Sequence, residues 1–112
     1  MALGRLIATA ADDKKAENTL LLDLRKHSSV ADYFVICSAA SERQLDAVAS
    51  HVRKTARASL GVSPRASEGS PESGWLLLDF GDVIVHVMTP RLRAFYGLET
   101  LWADAPVLLR LQ

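Results

Sequence analysis

The sequence predicts a single α/β domain of the α+β kind, spanning residues 1–112, with a mixed β-sheet of about four to five strands flanked by helices. Three observations predict it. Residues 41–60 form a capped amphipathic pattern. Residues 19–24 (TLLLDL) and 33–37 (YFVIC) are apolar runs too short for core helices. Residues 75–88 (WLLLDFGDVIVHVM) are two apolar runs around Gly81-Asp82.

Leu3, Leu6, Ile7 and Ala10 share one helical face, which predicts a first helix. The runs 19–24 and 33–37 follow as strands. Ser41-Glu42-Arg43-Gln44 is a capping box: Ser41 accepts from the backbone at Gln44, and Gln44 reaches back. Leu45, Val48, Ala49, Val52, Ala56 and Leu60 recur at three- and four-residue spacing behind it, and Gly61 supplies the stop. Residues 61–74 (GVSPRASEGSPESG) form a long Gly-, Ser- and Pro-rich loop, with residues 63–66 as its candidate edge strand.

A two-residue Gly-X loop suits a type II′ hairpin turn with Gly81 at positive φ. Counting outward pairs Asp79 with Ile84, Leu77 with His86 and Trp75 with Met88. Alternation then sorts the hairpin into two faces. Leu76, Leu78, Phe80, Val83, Val85 and Val87 are wholly apolar and belong in a core. Trp75, Leu77, Asp79, Ile84, His86 and Met88 mix apolar, acidic and imidazole groups. Such a face is either wet or covered by a partner. Pro90 then starts a short helix over residues 91–96, Gly97 turns the chain, and Leu98, Leu101 and Trp102 make another helical turn before Pro106.

Half of the 112 residues are hydrophobic (49%), which argues against disorder. Thirteen Lys plus Arg balance thirteen Asp plus Glu, whereas a general nucleic-acid coat is basic. Balance points to a protein partner, a small ligand or a local basic patch. The single cysteine, Cys37, permits neither an internal disulfide nor a CxxC metal knuckle. The sequence shows no apolar run of membrane-spanning length and no secretory pattern, and its first residues turn acidic at Asp12 and Asp13, unlike a transit peptide. The expectation is a cytoplasmic protein with no membrane contact.

Candidate chemistry is sparse. Asp23, Asp79 and Asp82 raise the question of a two-metal nucleotidyl transfer site. That chemistry wants two aspartates on one strand face behind a Gly-Ser helix start, and neither is present. His27, His51 and His86 share no metal spacing, so no metal and no cofactor are expected. His86 sits inside an apolar strand and reads as a buried histidine hydrogen-bonded to Asp79 diagonally across the hairpin, or as a partner contact. Cys37 reads as a small buried hydrophobe. Arg43, Arg53, Lys54 and Arg57 give one helix a basic far end, either a solvated face or an RNA contact. Trp75, Phe95, Tyr96 and Trp102, among only seven aromatics, are either core fillers or interface anchors.

Read in order, these segments resemble the ribosomal silencing factor family, also called the Iojap-related family. The likeness runs from about Lys14 to Ala105. It rests on Lys14 to Glu17 before Leu22-Asp23, on residues 32–36, on Ser41 and Gln44, and on Glu68-Gly69. It is strongest over residues 75–79, His86-Val87-Met88, residues 93–99 (RAFYGLE) and Leu101-Trp102. The resemblance implies a nucleotidyltransferase-like fold without the catalytic carboxylates, hence no enzyme. It implies binding to the large ribosomal subunit at its protein number fourteen, blocking of small-subunit joining when nutrients are scarce, and a homodimer when free. Together with the mixed hairpin face and the aromatic cluster, it makes Trp75, Asp79, His86, Met88, Tyr96, Leu98, Glu99 and Trp102 the expected partner-binding residues. Asp79 and Glu99 would meet a basic partner surface, and Trp75, Met88 and Tyr96 would be apolar anchors. Other readings of the chain are a nucleotide-binding enzyme of that fold and an assembly factor contacting ribosomal RNA directly or peripherally.

Overall fold

The computed structural model describes residues 2–112. Its elements are α1 (Ala2–Asp13), β1 (Glu17–Asp23), β2 (Tyr33–Ser38), α2 (Glu42–Leu60), β3 (Ala66–Ser70), a 3-10 turn (Pro71–Ser73), β4 (Trp75–Asp79), β5 (Val83–Met88), α3 (Pro90–Tyr96), α4 (Leu98–Leu101) and β6 (Val107–Leu111).

Local chemistry explains most of these boundaries. Ser41 Oγ accepts from the Gln44 N–H at 3.1 Å, as a capping box requires. The return bond differs from the expectation: Gln44 Oε1 accepts from Ala40 rather than Ser41, at 2.9 Å. Its amide then donates to the Lys15 carbonyl at 2.9 Å, so one side chain caps α2 and closes the α1–β1 turn. At the far end Gly61 takes φ +67, donating to Arg57 while Val62 donates to Ala56. The Gly61–Arg57 bond is the αL stop. Thr89 caps α3 by accepting from Leu92, with Pro90 in the first turn.

The hairpin has the counted register, with Asp79 opposite Ile84 and Trp75 opposite Met88. Gly81 takes φ +93, and Phe80 donates to the Val83 carbonyl at 2.9 Å. The six strands lie in the order β3-β4-β5-β2-β1-β6. The central β2–β5 pair is parallel and every other pair is antiparallel. Every residue of β2 and β5 is buried, as befits central strands covered on both faces.

Two apolar clusters flank the sheet. On one face Ile7 and Ala11 of α1 and Leu45, Val48 and Val52 of α2 pack on Leu21, Val35, Leu78, Val83 and Val85. On the other, Leu20, Leu22, Phe34, Ile36 and Ile84 are met by Leu98, Trp102 and Ala105.

Two expectations are corrected. The edge strand runs over Ala66–Ser70, not residues 63–66, because Pro64 lacks an N–H and the ladder opens where Arg65 donates to the Asp79 carbonyl at 2.8 Å. The sheet has six strands rather than four to five, because Val107–Leu111 adds β6 against β1. That run is leucine-rich and carries no clean alternation. Its strand state comes from pairing with β1, where Leu21 meets Leu109.

Candidate partner-docking site

Trp75 opens β4 and shares a face with Leu77 and Asp79, while His86 lies opposite Leu77 on β5. Trp75 and Asp79 are therefore the two diagonal neighbours of His86. The structure selects Trp75, whose indole Nε1 donates to His86 Nδ1 at 3.2 Å. The expected His86–Asp79 bond is absent, because sheet twist makes the two diagonals unequal. Asp79 instead accepts from the Gly81 N–H at 2.7 Å and lies 3.2 Å from Arg65 Nε. It closes the turn.

Accepting at Nδ1 places the proton of neutral His86 on Nε2. That atom is buried and has no hydrogen-bond partner among the described residues. Burial pushes the imidazole down from 6.5 to about 4, so the ring is neutral at physiological pH. Phe34 presents its ring to His86 at 4.6 Å, edge to face. An aromatic row then runs outward: Trp75 lies 4.8 Å from Tyr96, and Tyr96 lies 5.0 Å from Phe95. Phe34 also meets Trp102 at 6.3 Å.

The outer end of this row is solvent-exposed. Phe95 is 78% exposed, Leu101 69% and Tyr96 52%, on a short α3–Gly97–α4 arch. Scattered exposed hydrophobes are ordinary, but three large ones on one short arch make it a candidate interaction surface. Leu98 and Trp102 turn their apolar surface onto the second core cluster and hold the arch down.

Arg93 is a member of this site that residue-by-residue reading passed over. It is 7% exposed and donates to Ser38 Oγ at 2.9 Å and to the Glu17 carbonyl at 3.4 Å. It also pairs with Glu99 at 2.7 Å. The pair bridges Gly97, φ +56, at a separation that matches no helical spacing. Only the run 93–99 that carries the family likeness marked it. The pair fastens the arch to β1 and β2.

The predicted site residues therefore divide. Trp75, Tyr96, Leu98, Glu99 and Trp102 gather around the arch. Asp79 sits away from it at the hairpin turn, and His86 lies beneath Trp75. Met88 is completely buried and presents no surface. Beside the arch a groove of about 440 Å³ is lined by Glu68, Gly69, Ser73, Trp75, Leu77, Leu92 and Tyr96.

Asp23 is forked by Arg25 at 2.8 Å and 3.0 Å, and those bonds hold its carboxyl down at about 2. Cys37 is wholly buried, which pushes its thiol up to about 12. Among the described residues no three His, Cys, Asp or Glu side chains are grouped to hold a metal ion. No described helix is long and apolar enough to cross a membrane.

A family model described as "Ribosomal silencing factor during starvation" matches residues 2–112. Ribosomal silencing factor RsfS of Bacillus subtilis (strain 168) is 44% identical over 103 residues, covering 92% of this chain and 86% of its own. Protein Iojap, chloroplastic, of Zea mays is 37% identical over 99 residues, covering 88% of this chain and 42% of its own. A crystal structure of a Chromobacterium violaceum protein superposes with TM-score 0.85 at 35% identity, covering 90% of this chain and 83% of that one. By fold, by the segments around the arch and by sequence along nearly its full length, the chain belongs to the ribosomal silencing factor family.

Proposed function

We propose that this protein represses translation by occupying the large ribosomal subunit. It docks through the arch on a large-subunit protein, number fourteen, and blocks joining of the small subunit when nutrients are limiting. The observation that carries this reading is the exposure of Phe95, Tyr96 and Leu101 on one short arch that the half-buried Arg93–Glu99 pair pins to the sheet. A rigid apolar surface loses little side-chain freedom on docking, which favours affinity. Steric blocking needs no reacting group, so the protein is read as a non-enzyme. It works in the cytoplasm and forms a homodimer when free of the ribosome. The basic end of α2, with Arg53, Lys54 and Arg57, makes at most a peripheral contact with ribosomal RNA.

Co-sedimentation with separated subunits tests this. Wild type pellets with large subunits only and reduces joining when small subunits are added. The Phe95→Ala/Tyr96→Ala double variant binds roughly thirtyfold more weakly, the loss of about 2 kcal/mol typical of an interface anchor. Binding should fall only gently with salt, because few phosphates are contacted. Wild-type binding to neither subunit, or full binding by the folded double variant, overturns the reading.

A further inference from the structure

The groove beside the arch contains one carboxylate, that of Glu68. β3 pairs with β4 so that Glu68 faces Leu77 and lies diagonal to Trp75. The Glu68 side chain is exposed and takes no part in any hydrogen bond or ion pair among the described residues. The acids suggested by sequence as partner contacts are already engaged: Asp79 with Gly81 and Arg65, Glu99 with Arg93. The uncommitted carboxylate that lines the groove itself is that of Glu68.

Its surroundings select a ligand chemistry. Trp75 and Tyr96 line the groove, and the indole is held in place by its bond to His86. Leu77 and Leu92 add apolar wall. Gly69, next to Glu68, is there by necessity, since a Cβ would stand 2.0 Å from the Trp75 carbonyl oxygen. The groove thus combines aromatic faces, an apolar wall and a free carboxylate. An anion would be repelled, and a neutral apolar group would leave the carboxylate desolvated and unpaired. A planar guanidinium satisfies all three features: its face attracts the aromatic rings, its edge forks a carboxylate, and its stem packs on leucine.

We propose that the groove formed by Glu68, Trp75, Leu77, Leu92 and Tyr96 receives an arginine side chain projecting from the docked partner protein. This deepens the docking reading and rests on it for the identity of the partner, but not for the chemistry of the slot. In solvent an exposed carboxylate–arginine pair contributes little. It gains strength when a partner covers the groove and excludes water.

The slot is tested on the intact chain with a blocked Gly-Arg-Gly peptide, followed by amide and indole resonances. The arginine peptide should shift the Trp75 indole and the Glu68 and Gly69 amides saturably. The citrulline peptide, equal in shape and uncharged, should not. Glu68→Gln should weaken the arginine response about fivefold or more, and Glu68→Arg should reduce large-subunit co-sedimentation about tenfold or more. The slot is overturned if arginine gives no saturable shift, if citrulline or lysine peptides act equally, or if Glu68→Arg co-sediments like wild type. Saturable arginine binding by a chain that ignores ribosomal subunits would leave the slot standing and remove the docking reading, so the two fail separately.

Discussion

His86 shows how much one residue's role depends on neighbours that sequence cannot rank. Its place in an apolar strand made burial legible, and the hairpin register reduced its partner to two diagonal positions. The choice of Trp75 over Asp79 came from the twist of the paired strands, which no local pattern encodes. The consequence is a pH dependence of known sign. The folded state holds the imidazole at about 4 against 6.5 when free, so the unfolded chain binds the extra proton first. Stability from this group is complete above pH 6.5 and is lost as pH falls through that window to 4. The loss should be on the order of 3 kcal/mol. His86→Gln keeps an acceptor for the indole but cannot titrate. Urea unfolding at pH 7 and pH 4 should show a clearly smaller drop for that variant than for wild type. Equal drops would assign the acid sensitivity to other groups. Asp23, whose carboxyl is held at about 2 in the folded chain, contributes equally to wild type and variant and so cancels from the comparison.

At the scale of elements, the hairpin and its edge strand contrast two glycines. Gly81 at φ +93 turns in open space, with nothing within 4 Å of where a methyl group would sit. Gly69 at φ +85 lies against the Trp75 backbone. Gly81→Ala therefore meets only the backbone penalty, about 1–2 kcal/mol. Gly69→Ala adds a backbone clash and must push β3 away from β4, so its loss should exceed that of Gly81→Ala by about 2 kcal/mol or more. Denaturant midpoints of the two variants measure this directly, and equal midpoints would show that β3 yields freely. The turn at Gly81-Asp82 was legible because two-residue hairpin loops have strong residue signatures. The bounds of the strand 66–70 were not, because a Ser- and Gly-rich edge has no apolar alternation to fix its register. The Arg93–Glu99 pair was illegible for a related reason: it spans a turn, outside any helical or strand period.

For the whole molecule, the sheet leaves two free edges, β3 and β6. β6 shields β1, whose Leu20, Leu21 and Leu22 are buried. A chain truncated after Pro106 should lose roughly 3 kcal/mol, from the partly buried Leu108, Leu109 and Leu111, and should associate through the uncovered β1 edge. Thermal unfolding and size-exclusion chromatography across a concentration series read both effects, and an unchanged, concentration-independent elution would show β6 to be dispensable. The two sheet faces divide the work. Helices α1 and α2 seal one face, while the arch covers the other only in part and projects its aromatic row outward.

The features legible in the chain itself are those whose signals are local. They are the capped helix, the short central strands, and the hairpin with its register and sorted faces. Each rests on a period or a turn signature within a few residues of chain. Four other features emerged only when distant segments met: β6 as a strand, Trp75 as the partner of His86, Arg93 as the fastener of the arch, and Glu68 rather than Asp79 or Glu99 as the uncommitted charge. All four depend on which segments come within hydrogen-bonding reach, a matter set by sheet order and twist rather than by any neighbouring residue.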